Sequence, residues 1–99
     1  MKYRIRYLSE AVSDRNEIKT YLAQYYESTV KEFFSQLKER ITLLKEYPYS
    51  CPVYEDDPDY RVLAFKDYLV FYMVDEGEKN VDIYRIFHSS QDIKRHISQ

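Results

Sequence analysis

At 99 residues the chain has the length of one small domain, and 44% hydrophobic with 32% charged residues is a composition that folds rather than one that stays disordered. A net charge of −2 and a pI near 5.7 argue against strong non-specific binding of nucleic acid, so no direct DNA binding is expected. No apolar run is long enough to span a membrane, the N-terminus lacks the apolar core of a signal peptide, and a lone Cys51 makes no internal disulfide, so a single cytoplasmic domain over residues 1–99 is expected.

Lys2 to Tyr7 alternates strictly, with Lys2, Arg4 and Arg6 on one face and Tyr3, Ile5 and Tyr7 on the other. That is the period of a half-buried strand. Ser9 offers a helix N-cap with Glu10 in the first turn, and Ala11, Ile18, Leu22 and Tyr25 recur at helical spacing, which predicts a helix over residues 9–26. Thr29 followed by Glu32 reads as a capping box for a second helix, whose apolar stripe is Val30, Phe33, Phe34, Leu37, Ile41 and Leu44. The short break at Glu27-Ser28 predicts an antiparallel helical hairpin. Pro48 is expected to end the second helix.

Tyr47 to Asp59 holds all three prolines and the carboxylates Glu55, Asp56, Asp57 and Asp59, with no helical or strand period. A long loop of this kind is either a solvated acidic segment or a source of a general base; nothing in it has metal-ligand spacing. Tyr60 to Phe65 reads as a strand, and Lys66-Asp67 has the spacing of a two-residue hairpin turn. Tyr68 to Val74 is the longest apolar and aromatic run in the chain. Leu69, Phe71 and Met73 would point one way and Tyr68, Val70, Tyr72 and Val74 the other, so this strand needs cover on both faces. A polar turn with the one glycine, Gly77, leads into a strand from Val81 to His88, with Val81, Ile83 and Phe87 expected on one side and Tyr84 and Ile86 on the other. Ser89 and Ser90 would cap a short final helix from Gln91 to His96, anchored by Ile93 and Ile97.

The predicted fold class is α+β: an N-terminal strand, a two-helix hairpin, a three-stranded antiparallel meander and a short C-terminal helix, with the helices on one sheet face. The other face is left to the terminal helix, the acidic loop or a partner chain.

One glycine excludes a glycine-rich phosphate loop, and one cysteine with two histidines excludes a zinc pattern, so neither a metal nor another cofactor is expected. The cations near the sheet are Arg61, Lys66, Arg85, His88, Lys94, Arg95 and His96. Metal-free RNA cleavage is the reaction such a set can run, with His88 titrating near neutrality and Arg61 and Arg85 holding phosphate. The alternative is structural: Arg85 pairs with a loop carboxylate such as Asp59, and His88 caps the terminal helix. Arg85 and His88, three apart, face opposite sides of a regular strand and meet only through a bulge or at the strand end.

Asp59-Tyr60-Arg61-Val62-Leu63, Asp67-Tyr68-Leu69-Val70-Phe71-Tyr72, Val81-Asp82-Ile83-Tyr84-Arg85-Ile86-Phe87-His88 and Gln91-Asp92-Ile93, in that order and spacing, resemble the RelE/ParE toxin superfamily. The similarity runs through both helices and the Pro48 loop. It implies the toxin of a type II toxin–antitoxin pair of the plasmid-stabilisation type, neutralised by a cognate antitoxin that would bury the open sheet face. Arg4, Arg6, Tyr68 and Tyr72 are the residues expected to meet it. RelE-like members are ribosome-dependent mRNA endoribonucleases, for which Arg61, Arg85 and His88 would be the catalytic set. ParE-like members act on DNA gyrase. Where RelE-like sequences carry an arginine in the middle hairpin strand this chain has Leu69, and Arg85, His88 and Asp92 follow the ParE-like pattern, so the resemblance leans to that branch. A third reading is a non-toxic interaction module on the same scaffold.

Overall fold

The computed structural model describes residues 2–25, 27–93 and 97. The elements are β1 (Arg4–Tyr7), α1 (Ser9–Ala23), α2 (Glu27–Thr42) with a closing 3-10 turn (Leu43–Lys45), β2 (Arg61–Phe65), β3 (Tyr68–Asp75) and β4 (Asn80–His88). The four strands form one sheet in the order β1-β4-β3-β2. The β2–β3–β4 meander is antiparallel and β1 runs parallel to β4, so the sheet is mixed.

The apolar stripe of α2 explains its seat: Phe33, Leu37, Ile41 and Leu44 are buried against Leu63, Phe65, Tyr68, Val70 and Tyr72 on one sheet face. Ala11 and Ile18 of α1 join the same cluster. The division of β3 is as its alternation requires, with Phe71 buried on the opposite face beside Phe87 and Ile97.

Four local expectations are corrected. α1 stops at Ala23, and Tyr25, expected in its buried stripe, is 60% exposed with its ring edge-on to Tyr21. Ser9 is the first helical residue and Leu8 the cap, with no side-chain capping bond. α2 begins at Glu27, so Thr29 lies inside the helix and cannot cap it. In β4 the pairing with β3 shifts between Phe71 and Tyr72: Arg85 lies opposite Phe71 and Ile83 opposite Tyr72, which leaves Tyr84 as an extra residue. This bulge reverses the side-chain alternation. Val81 and Ile83 face the helices, but beyond the bulge Ile86 takes that side and Phe87 the other, the reverse of the period-two expectation.

The second sheet face is covered at its centre by the chain itself. Tyr54 stands edge-on to Phe71 at 5.0 Å, Tyr60 lies against Tyr84 at 5.0 Å, and Ile93 and Ile97 pack beside them. The acidic loop reaches this position because part of it pairs with β2: Val53 bridges Arg61, Val62 N–H donates to Pro52 O, and Tyr54 N–H donates to Tyr60 O. Phe71 and Phe87 are consequently fully buried, and the open apolar face expected for an antitoxin is closed at its middle. Of the predicted C-terminal helix, Gln91 and Asp92 are not helical, and Lys94, Arg95 and His96 lie outside the described residues.

Candidate functional site

β1 pairs with β4 only as far as Ile83, where Leu8 N–H donates to the Ile83 carbonyl and the chain turns into α1. Past that point the edge of β4 has no neighbouring strand among the described residues, and α1 supplies its partners. Asp14, 8% exposed, accepts Arg85 Nε at 2.8 Å and Arg85 Nη2 at 3.0 Å through its two oxygens, and also takes the Ile86 backbone N–H at 2.9 Å. Glu10 adds a contact to Arg85 Nη1 at 3.3 Å. The Asp14 hydrogen bonds raise the Arg85 pKa against the opposing effect of burial, and the guanidinium also sits 4.5 Å from the centre of the Phe87 ring. The alternative stated from sequence, a structural carboxylate for Arg85, holds in kind, with α1 supplying it in place of the loop.

The bulge precedes both residues and leaves them on opposite faces, Arg85 opposite Phe71 and His88 opposite Tyr68, yet at the free edge and end of β4 both line one cleft of about 580 Å³, walled by Glu17, Ile18, Tyr21 and Tyr68. His88 is edge-on to Tyr68 at 5.2 Å. Its Nδ1 accepts the Ser90 backbone N–H at 3.1 Å and lies 2.7 Å from Ser90 Oγ, so the neutral ring carries its proton on Nε2. Arg61 does not join this cleft. It faces the helix side of the sheet with Leu63 and Phe65, beneath the loop, donating to Cys51 O at 2.8 Å and Tyr49 O at 3.3 Å, with the Tyr49 ring 5.0 Å away. The three residues named from sequence for RNA cleavage therefore stand as a pair and an outlier. Each arginine is already hydrogen-bonded within the chain.

The four residues named for antitoxin contact also divide. Arg4 is exposed on β1. Arg6 forms a two-pronged pair with Asp82, its neighbour in the β1–β4 register, at 2.8 and 3.0 Å, and its side chain stays 57% exposed. Tyr68 is packed between Phe33 and His88. Tyr72 is fully buried and donates its hydroxyl to Pro48 O at 2.8 Å, so it has no surface to offer a partner. Burial is what chiefly pushes its phenol pKa far up.

Two features escaped the sequence reading. Asp14 sits between Ala11 and Ile18 on the buried stripe of α1, and a carboxylate at a core position is a signal that a cation lies opposite. Glu76, in the β3–β4 turn, accepts the hydroxyls of Tyr3 and Tyr49 and the Lys79 ammonium, a knot joining the residue before β1, the loop and the turn. Those donors, Tyr3 first, hold its carboxyl down at about 2. The same knot, led by the Glu76 hydrogen bond, pushes the Tyr49 phenol up to about 12. Among the described residues no cluster has the makings of a metal site, and no helix is long and apolar enough to cross a membrane.

The sequence profile of the ParE toxin of type II toxin–antitoxin systems, parDE, matches residues 5–93. The chain belongs to the ParE toxin family. Solved structures agree with that family's fold. The ParE-family chain is similar to a chain of the chromosomal ParDE toxin–antitoxin system of Pseudomonas aeruginosa, at 14% identity and a TM-score of 0.75 over 88% of this chain and 96% of that one. It is also similar to the isolated RelE toxin of Escherichia coli (17% identity, TM-score 0.64, 97% and 95% of the two chains). A chain of the intact RelBE complex of Escherichia coli matches at 18% identity and a TM-score of 0.64, over 90% of this chain and 99% of that one. No curated protein matches the ParE-family chain by sequence.

Proposed function

We propose that this ParE-family toxin acts on DNA gyrase and is neutralised by a cognate antitoxin. The observation that carries the choice of gyrase over RNA is the pairing of Arg85. Cleaving RNA through its own 2′-hydroxyl needs cations free to take the developing phosphorane charge. In this chain Arg85 is held by Asp14 and Glu10, and Arg61 by two backbone carbonyls. Glu17 adds further negative charge to the cleft beside His88, and phosphate is repelled there. Leu69, in place of the arginine of RelE-like sequences, supports the same reading. Arg4 and Arg6, exposed on β1, remain the residues of the sheet edge proposed to meet the antitoxin.

Induced expression in a susceptible bacterium tests this. Gyrase poisoning gives filamentation and a DNA-damage response while translation continues. Rapid translational arrest with cuts in ribosome-bound mRNA would replace the proposal with RNA cleavage, and growth unaffected by full-length, folded protein would leave an interaction module.

A further inference from the structure

The cleft beside His88 adjoins a second hollow of about 360 Å³ between α1, α2 and the β2–β3 turn, and Tyr21, Tyr68 and His88 line both. Ile18, Leu22, Phe33 and Ile86 complete an apolar and aromatic floor. Tyr21, 53% exposed, offers an open ring at the junction of the two. The rim carries the exposed carboxylates Glu17, Glu32 and Asp67 against one ammonium, Lys66. Among the described residues no ion pair engages any of the three; Glu32 accepts the neutral Gln36 amide at 3.2 Å, and Lys66 Nζ lies 5.8 Å from the centre of the Phe65 ring. The charge of Arg85, at the inner end, is already offset by Asp14 and Glu10. The groove is therefore an apolar floor under an uncompensated acidic rim. It opens at the end of β4 beyond Ile83, where pairing with β1 has stopped, and so stands apart from Arg4 and Arg6.

We propose that this groove receives a basic segment of gyrase, an arginine flanked by apolar residues, and the inference rests on the gyrase reading above. The planar guanidinium stacks on the open Tyr21 ring while its donors meet the carboxylate of Glu17 or Glu32. The apolar neighbours of that arginine lie on the floor between Ile18 and Phe33. His88, with its proton on Nε2, has a donor to offer a backbone carbonyl of the segment. Charge complementarity selects this occupant over an acidic segment and over nucleic acid, both of which the three carboxylates repel. The floor selects it over a free cation, which gains nothing from apolar contact, and among the described residues no cluster has the makings of a metal site.

The probe is a short fluorescein-labelled peptide of alternating leucine and arginine, compared by fluorescence anisotropy with a twin in which citrulline keeps arginine's shape without its charge. The arginine peptide should bind about tenfold tighter than its twin, and the double variant E17K/E32K should weaken it by a similar factor. Raising salt should close the gap between the two peptides. Glu17 and Glu32 are exposed on helices, so the variant should keep the circular dichroism spectrum of the parent. Equal binding of the twins, binding unaffected by E17K/E32K, or no binding of the arginine peptide would each overturn the proposal. Displacement of the peptide by spermidine as readily as by its own unlabelled copy would assign the groove to a free polyamine and overturn it too. Gyrase is read separately, and E17K/E32K should need about tenfold more toxin than the parent to inhibit supercoiling. Inhibition undiminished in that variant would sink this inference and leave the gyrase reading standing. Arginine-peptide binding by a parent chain that leaves gyrase undisturbed would sink the gyrase reading, and with it gyrase as the occupant, while the groove's preference for cations stood.

Discussion

Asp14→Ala should be among the most damaging single changes outside the apolar core. The substitution strips Arg85 of its two-pronged partner while leaving the guanidinium in place, its side chain only 19% exposed and with Glu10 as its one remaining carboxylate. It also leaves the Ile86 amide, bonded to Asp14 at 2.9 Å, with no strand beside it. Breaking one side of a buried ion pair costs about 3–5 kcal/mol. The residual contact with Glu10 at 3.3 Å places this case at the low end, about 3 kcal/mol. In a domain this small that corresponds to a fall in Tm of about 15 °C. Thermal and urea unfolding followed by circular dichroism measure both quantities. A partner change, Arg85→Met, removes the charge along with its need for a partner, so the double variant should be more stable than Asp14→Ala alone. A loss below about 1 kcal/mol for Asp14→Ala, the level of an exposed ion pair, would refute the claim that α1 is clamped to β4 through this carboxylate.

Three further outcomes follow from the same contacts. The Glu76 carboxyl, held near 2 in the fold against an ordinary 4.5, contributes stability that is fully present above about pH 4.5 and lost as the pH falls toward 2; Glu76→Gln should flatten that part of the acid unfolding profile, and an unchanged profile would show the knot to be idle. Phe71→Ala removes a fully buried ring that touches Tyr54 and Phe87, and should cost about 3–5 kcal/mol in urea unfolding. Tyr72→Phe deletes the bond to Pro48 O from a site that stays apolar and should cost about 1 kcal/mol by the same assay, since Pro48 O keeps no other hydroxyl.

The layout of the fold was legible because its signals are periodic. The strict alternation of Lys2 to Tyr7 and the α2 stripe each named the right element and face, and the two-sided run at Tyr68 to Val74 located the centre of the sheet. What stayed hidden was everything that departs from period. One extra residue at Tyr84 moves Phe87 across the sheet, and a bulge leaves no mark on the pattern of apolar residues around it. The Thr29–Glu32 box has the right residues at the right spacing, yet the helix continues two residues further back to Glu27. The candidate site failed at pairing: Arg85 was correctly read as needing an anion, but the anion stands 71 positions away, on α1, and only the fold brings them together. The loop's role as a lid came from Tyr54 and Tyr60, whose rings look like ordinary surface tyrosines until the second sheet face is seen to need them.

Supercoiling of relaxed plasmid by purified gyrase, with and without the purified toxin, is the decisive assay for gyrase as the target. A gyrase poison should abolish supercoiling with accumulation of cleaved DNA, and the antitoxin should reverse both effects. Undisturbed supercoiling by a folded chain that instead cuts mRNA on purified ribosomes would contradict it.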